Sequence, residues 1–166
     1  ANNFVSLADP YYYGVFINSG NYINLYFNSI NLYGSNINSA SACLNLSSAS
    51  NADIRNNILS NLAGTYAINS NAVPTASNYN DLYTSGSNLC RINSTNYSNM
   101  AAWRSATSRD GNSKSVNPTF FSNTDLHTTL ITLDSAATPI SGITDDIDGN
   151  ARNSSKPDIG ADEFNS

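Results

Sequence analysis

Short runs of alternating apolar and polar residues fill the first hundred positions of the chain. Ile23, Leu25 and Phe27 alternate with Asn24 and Tyr26, as expected for a strand that buries one face. No stretch of this region shows the apolar periodicity of a long helix. The pattern therefore predicts many short β-strands rather than a helical bundle.

Two asparagine-marked motifs recur with a period in the twenties. One is Asn, then a small or polar residue, then an apolar residue, with successive spacings of 26, 28 and 24 residues. It begins at Asn2, Asn28, Asn56 and Asn80. The other, Ile-Asn-Ser, occupies positions 17–19, 68–70 and 92–94, with Leu-Ser-Ser at 46–48. Repeats of this length built from short strands predict an all-β fold, a right-handed parallel β-helix (solenoid) of about four coils.

Stacked coils place equivalent residues about 4.8 Å apart, which is the ordinary spacing between strands. A column of asparagines can then join coil to coil through its side-chain amides, and asparagine also tolerates left-handed backbone angles at bends. We therefore expect a structural asparagine ladder at one corner of the solenoid. Its predicted members are Asn2, Asn28, Asn56 and Asn80.

The repeat ends near residue 95, and the chain is predicted to form a single domain with three parts. Residues 1–97 form the coils, residues 98–106 a short helix with Ser98 as N-cap, and residues 107–166 a closing coil and cap. Because residue 2 already lies in a repeat motif, further coils are expected to precede this piece in a longer chain.

Composition narrows the range of partners. Asn and Ser make up roughly a third of the residues and only 11% are charged, so the chain is polar without being highly charged. A net charge of -5 offers no basic surface for phosphates, which argues against nucleic acid as a partner. The longest apolar runs fall far short of the ~20 residues that span a bilayer, which predicts no membrane insertion.

Several segments carry a resemblance to a known family. The coils contain Asp-Ile-Arg-Asn-Asn-Ile at 53–58 and Ser-Asn-Tyr-Asn-Asp-Leu-Tyr at 77–83. The tail contains Trp103, Arg-Asp-Gly-Asn-Ser at 109–113, Asn-Pro-Thr-Phe at 117–120, Asp-Leu-His at 125–127, Asp-Ile-Asp-Gly at 146–149, Arg152 and Pro-Asp-Ile-Gly-Ala-Asp-Glu-Phe at 157–164. Together they resemble the C-terminal portion of secreted bacterial right-handed parallel β-helix proteins of pectate-lyase-like fold.

The resemblance implies an extracellular or cell-surface location, with the neighbouring coils of a longer chain as partners. It also implies two candidate functions. The first is a non-catalytic structural or adhesive module that contacts a polysaccharide or a surface glycan. The second is the C-terminal part of a polysaccharide lyase or glycoside hydrolase whose active site lies upstream.

Charged residues are too few in the coils to predict catalysis there. A lyase of this fold needs a basic residue beside carboxylates that bind Ca²⁺, and a glycosidase needs two carboxylates. The charges within residues 1–97 are Asp9, Asp53, Asp81, Arg55 and Arg91. Asp53 and Arg55 lie two apart on one predicted strand, where a surface ion pair and a minimal catalytic pair both remain open. No catalytic residue and no cofactor other than structural calcium is therefore predicted.

The acidic tail is the predicted place for that calcium, because Ca²⁺ prefers carboxylate oxygens in glycine-containing turns. Its candidate ligands are Asp145, Asp146, Asp148 and Asp158. The alternative is an ion pair of Arg152 with Asp146 or Asp158 that pins the tail across the last coil. His127 is the only histidine of the chain and is expected to be structural.

Tyrosines are the predicted sugar contacts, since their rings combine a flat apolar face with a polar edge. The candidates are Tyr11, Tyr12, Tyr13, Tyr22, Tyr26 and Tyr33. Packing within the strands is the competing role for these side chains.

The two cysteines are predicted to be free and buried. Cys43 and Cys90 lie two coils apart, or about 10 Å at the strand spacing, which exceeds the ~7 Å limit for a disulfide. Trp103 of the short helix is expected to plug the last coil rather than to bind a ligand.

Overall fold

The computed structural model describes residues 1–9, 12–35 and 38–165 of the 166-residue chain. Short strands wind around a common core and pair in parallel from one turn to the next, which forms a β-solenoid. Three complete turns are followed by the first strands of a fourth. The predicted all-β parallel β-helix with one short helix is therefore confirmed.

The strands follow the turns in chain order. The first turn contains β1 (Asn3–Ala8), β2 (Tyr13–Ile17), β3 (Gly20–Asn21) and β4 (Asn24–Tyr26). The second contains β5 (Asn28–Tyr33), β6 (Ala42–Leu46), β7 (Ala49–Ser50) and β8 (Asp53–Arg55). The third contains β9 (Ile58–Asn61), β10 (Tyr66–Ser70) and β11 (Ala76–Asn78). The fourth contains β12 (Asp81–Thr84), β13 (Cys90–Ile92) and β14 (Thr95–Tyr97), and the helix α1 (Met100–Thr107) follows.

Equivalent strands of successive turns form three main parallel sheets. The first sheet contains β1, β5, β9 and β12, the second contains β2, β6, β10 and β13, and the third contains β4, β8 and β11. A small additional sheet joins β3 to β7, and β14 folds back antiparallel onto β13. The fold-back ends the parallel stacking of the second sheet.

Inward-facing apolar residues stack in columns and build the core. One column of the second sheet contains Val15, Leu44, Ile68 and Cys90. One column of the first sheet contains Val5, Ile30, Leu59 and Leu82. Burial of one such aliphatic side chain is worth about 1.5–3 kcal/mol, so each added turn extends the core by a favourable increment.

The asparagine ladder joins the turns at the start of the first sheet. The Nδ2 of Asn3 donates to Oδ1 of Asn28 at 2.8 Å, and that of Asn28 donates to Oδ1 of Asn57 at 2.9 Å. Asn57 in turn donates to Oδ1 of Asn80 at 3.1 Å. The ladder thus contains Asn3, Asn28, Asn57 and Asn80.

The prediction that Asn2 and Asn56 belong to the ladder is wrong by one residue in each case. Each directly precedes a ladder asparagine and has a left-handed backbone, with φ values of 57° and 62°. Phe27 and Tyr79 hold the same left-handed position in the other two turns, with φ values of 51° and 56°. The corner therefore has two neighbouring rows, because the bend needs a left-handed residue immediately before the stacked amides.

Helix α1 closes the far end of the core. Its N-cap is Asn99, whose side chain accepts from the backbone N–H of Ala102, rather than the predicted Ser98. Trp103 is fully buried against the last coil and meets Tyr97 edge-on, with ring centroids 5.6 Å apart. This burial of Trp103 against the last coil agrees with the predicted role of its side chain as a plug.

A buried carboxylate ends the asparagine ladder beneath the helix. Asp110 accepts from the Trp103 indole N–H at 2.8 Å, and its other oxygen accepts from the hydroxyl of Ser113 at 2.6 Å. The Nδ2 of Asn80 also donates to Asp110, at 3.1 Å. The last rung of the ladder therefore has a partner, although the described residues form no further coil above it.

Residues 114–165, here called the lateral tail, lie along the outer face of the first sheet instead of forming a further coil. The backbone carbonyl of Lys114 accepts from the backbone N–H of Leu82 in the last turn. The backbone carbonyl of Asn123 accepts from the Ser6 hydroxyl in the first turn. A second apolar cluster fills the space between tail and coils, and it includes Phe27, Ile58, Leu133, Ala137 and Ile159. The tail is therefore a cover for the side of the solenoid.

Both cysteines are free and fully buried, which confirms the prediction. Burial raises the pKa of the Cys43 thiol and that of the Cys90 thiol, so both stay protonated. Within the described residues, the chain has no helix with the length and hydrophobicity that a bilayer crossing requires.

Candidate functional site

The third sheet presents two rows of polar side chains to solvent. Its inward positions are Leu25, Ile54 and Ser77, which align across β4, β8 and β11. Because successive side chains of a strand point to opposite faces, the flanking positions point outward. The outward rows are Asn24, Asp53 and Ala76, and then Tyr26, Arg55 and Asn78.

An ion pair with a tyrosine partner lies at the centre of these rows. The Nε of Arg55 donates to Oδ1 of Asp53 at 2.8 Å, and its Nη2 donates to Oδ2 at 2.5 Å. The Tyr26 hydroxyl donates to the same Oδ2 at 2.8 Å, and the Arg55 guanidinium lies 5.2 Å from the Tyr26 ring centroid. The hydrogen bond to Asp53 raises the pKa of Arg55, while burial and then Asp53 raise the pKa of Tyr26. The guanidinium therefore stays charged and the phenol stays neutral.

An open groove of about 530 Å³, here called the lateral groove, runs beside the ion pair. One wall is the outer face of β8 and β11, and the other is the loop 108–111 that follows α1. Ala76 aligns with Asp53 and its small side chain leaves room at the floor. Arg109 lines the opposite wall, where its Nε donates to the Pro74 carbonyl at 3.0 Å.

The groove offers groups for binding rather than a pair of free carboxylates. Asp53 is bound to Arg55, and Asp110, which also lines the groove, is bound to Trp103. Asp81 is buried on the first sheet, where its Oδ1 accepts from the Val116 backbone N–H at 2.9 Å. Burial raises the pKa of Asp81 to about 7. Asp81 therefore lies on a different sheet from Asp53 and does not face the groove.

The predicted tyrosines lie on separate surfaces. Tyr12 (59% exposed) and Tyr13 form an aromatic patch with Phe16, whose ring centroid lies 5.1 Å from that of Tyr13. Tyr22 is 75% exposed at a left-handed corner, and Tyr33 is half-buried at the end of β5. Tyr26 borders the Asp53–Arg55 pair, as described above, and Tyr11 lies outside the described residues.

The four predicted calcium ligands do not form one ligand set. Asp146 accepts backbone N–H groups from residues 148, 150 and 163 at 2.8–3.0 Å, which outweigh the effect of burial and lower its pKa. Asp158 is buried and accepts from the backbone N–H groups of residues 135 and 164. Asp145 is exposed, and Asp148 contacts His127. Both buried carboxylates therefore organise turns of the lateral tail.

Arg152 also differs from its predicted pairing. Its closest carboxylate in the described chain belongs to Glu163, at 3.4 Å, rather than to Asp146 or Asp158. The guanidinium lies 4.0 Å from the Phe27 ring centroid and donates to the carbonyls of Gly160 and Ala161. Arg152 therefore pins the tail to the side of the solenoid, not across its last coil.

A different cluster gathers around the single histidine. The Nε2 of His127 lies 2.8 Å from Oδ2 of Asp148, and its Nδ1 contacts Asp125. Asp162 completes a group whose nearest ligand atoms lie within 4.8 Å of one another. Burial alone would lower the pKa of His127, but Asp125 and Asp148 raise it. Burial raises the pKa of Asp162 to about 6.

No protein-family model, curated protein or solved structure matches the chain. The geometry of the chain is therefore the basis for assigning a function. The lateral groove is the best candidate site, because it combines an open shape with ordered polar and charged side chains. The sequence pointed to Asp53 and Arg55 but not to Arg109, whose wall of the groove comes from beyond the repeats.

Proposed function

We propose that this chain is a non-catalytic binding module of a secreted or cell-surface protein, and that its lateral groove holds a polysaccharide. The observation that carries the proposal is the groove itself, an open cleft of about 530 Å³ with an ordered Asp53–Arg55 pair on one wall. Asp53 and Arg55 are two of only five charged residues within residues 1–97. The open shape suits a chain ligand that continues past both ends.

The chemistry of the groove supports a sugar ligand. Carbohydrate hydroxyls both donate and accept, and Asp53, Arg55 and Asn78 offer acceptors and donors along one wall. The ring of Tyr79 adds an apolar face at the same wall. Two arginines, Arg55 and Arg109, and two aspartates, Asp53 and Asp110, line the groove, so its charges balance and it does not select for charged glycans.

The same residues favour binding over cleavage. A glycosidase holds two carboxylates about 5 to 9.5 Å apart on either side of the scissile bond. Here the Asp110 carboxylate is buried against Trp103, and Asp53 is neutralised by Arg55. The resemblance to secreted β-helix proteins supports the extracellular location, and an active site on coils upstream of this chain is the alternative function.

Glycan-array binding followed by calorimetric titration of the array hits tests the proposal. The native chain should bind one or more polysaccharides, and the double variant Asp53→Asn/Arg55→Gln should lose most of that binding. Arg91→Gln, on the second sheet, is the matched control and should bind like the native chain. Binding that survives the double variant would refute the groove, and cleavage of a uronan, followed by ultraviolet absorbance, would refute the non-catalytic role.

A further inference from the structure

Three separate segments of the lateral tail bring His127, Asp148 and Asp162 to one point. His127 and Asp148 are 21 residues apart in sequence, yet the imidazole Nε2 lies 2.8 Å from the Asp148 carboxylate. One ligand atom from each of the three residues lies within 4.8 Å of the other two. This cluster is distinct from the lateral groove, because none of its members lines that groove.

The buried carboxylate of Asp162 has no adequate partner in this cluster. The residue is only 8% exposed, and in the part of the chain that the structure describes no N–H group donates to its carboxylate. Its side chain instead meets that of Asp146, which already accepts three backbone N–H groups. Two carboxyl groups in contact need a proton or a cation between or beside them.

The histidine is oriented as a metal ligand would be. Its Nδ1 is bound to Asp125, which leaves Nε2 directed at Asp148, with a carboxylate oxygen of Asp162 in the same group of ligand atoms. Histidines that bind metals commonly donate their other ring N–H to a carboxylate, which fixes the tautomer and the ring orientation. Asp125 therefore acts as a positioning residue for His127.

We propose that His127, Asp148 and Asp162 bind a divalent transition-metal ion of the zinc class, with water completing the coordination. One imidazole nitrogen with two carboxylate oxygens suits Zn²⁺ better than Ca²⁺, which takes six to eight oxygen ligands. The bound ion joins the three tail segments to each other. His127 also packs edge-on against Phe4 of the first turn, with ring centroids 4.9 Å apart, so the ion fastens the tail over the start of the solenoid.

Zinc titration of the metal-free chain tests this site directly. Because His127 is the only histidine, its imidazole ¹⁵N signals report the site without overlap. We expect one Zn²⁺ per chain, a Kd below about 10 µM by calorimetry and a clear imidazole shift. Asp148→Asn and Asp162→Asn should each weaken binding by about tenfold or more, while the exposed neighbour Asp145→Asn should not change it.

The outcomes separate a metal site from a purely structural cluster. An imidazole signal that does not respond to Zn²⁺, or equal loss in the Asp145→Asn control, would overturn the proposal. Tighter binding of Ca²⁺ than of Zn²⁺ would overturn the assignment of the metal class. Circular dichroism of each metal-free variant confirms its fold beforehand, and the imidazole shift of the native chain remains decisive if a variant fails to fold.

Discussion

The first and third sheets both alternate inward and outward side chains, but the outer face of the first sheet is covered and that of the third is open. On the first sheet the outward row Ser29, Ile58 and Asp81 is buried beneath the lateral tail. On the third sheet the outward row with Arg55 borders an open groove. A solenoid can thus use one side for its own closure and keep another for a ligand. The tail determines which face stays open.

The left-handed corner beside the first sheet attaches the tail. Asn2 donates to the Asp145 carbonyl at 2.7 Å, and Asn56 donates to the Thr138 carbonyl at 2.7 Å. Arg152 reaches the same corner, where its Nη2 donates to Oδ1 of Asn2. Three side chains, Asn2, Asn56 and Arg152, therefore fasten the tail to this corner.

Replacement of Arg152 should give the largest loss of stability at the covered face. Arg152→Ala removes the donors of two tail carbonyls and leaves the largely buried Glu163 without its cation. We expect a loss of about 3–5 kcal/mol in the free energy of unfolding, as for other broken buried ion pairs. Urea unfolding measures it, with Arg91→Ala, a half-buried arginine of the second sheet, as the control. A loss below about 1 kcal/mol would show that the tail does not depend on this anchor.

Asp81 should make the covered face sensitive to pH. Its pKa is about 7 in the folded chain but near 3.9 when unfolded, so the unfolded chain releases its proton first as pH rises. Its contribution to stability is therefore present below about pH 4, declines as pH rises to about 7 and is constant above. Relative to the native chain, Asp81→Asn should gain roughly 1.4 kcal/mol per pH unit across that window, or about 4 kcal/mol in all. Parallel stability curves from pH 4 to 8 would contradict the buried carboxylate.

Gly160 should tolerate no side chain where the tail crosses the corner. Its φ is +114°, and an added Cβ would lie 2.7 Å from Cδ1 of Ile58 and 3.0 Å from Oγ of Ser29. We expect Gly160→Ala to lower the free energy of unfolding by about 1–3 kcal/mol. Gly149→Ala is the matched control, because Gly149 also has a positive φ but open space around it. Equal losses in both variants would mean that the close approach contributes nothing.

The ion pair on the open face should matter least for stability. Asp53 and Arg55 keep 22% and 33% of their side-chain surface exposed, so the solvent screens their attraction. Asp53→Asn/Arg55→Gln should lower the free energy of unfolding by less than about 1 kcal/mol. Thermal denaturation beside the Arg91→Gln variant measures this. A loss of several kcal/mol would assign the pair to folding rather than to a ligand.

The sequence predicts those features that depend on local alternation and period. The columns through Val15, Leu44 and Ile68 follow from spacing alone, and so do the separation and burial of Cys43 and Cys90. Each of these relations lies within the repeat, which supplies the register from one coil to the next.

Two kinds of feature could not be predicted. One is which of two similar adjacent residues takes a given role, and the other is which distant segments meet. Asn2-Asn3 and Asn56-Asn57 place two asparagines side by side, and residue type cannot tell the left-handed position from the stacked one. Ser98 and Asn99 are likewise both good caps, and the structure uses Asn99. The tail contacts its corner across 82 residues, from Asn56 to Thr138, without any repeat to reveal the pairing.

Titration of the ¹⁵N-labelled protein with a glycan identified on the array, followed by NMR, tests which face of the solenoid binds the ligand. If the face that the tail leaves open is the binding face, amide shifts should appear at residues 53–55, 76–79 and 108–111. The aromatic patch at residues 12–16 and the covered first sheet should stay unchanged. Shifts confined to that patch or to the lateral tail would show that the glycan does not bind in the lateral groove.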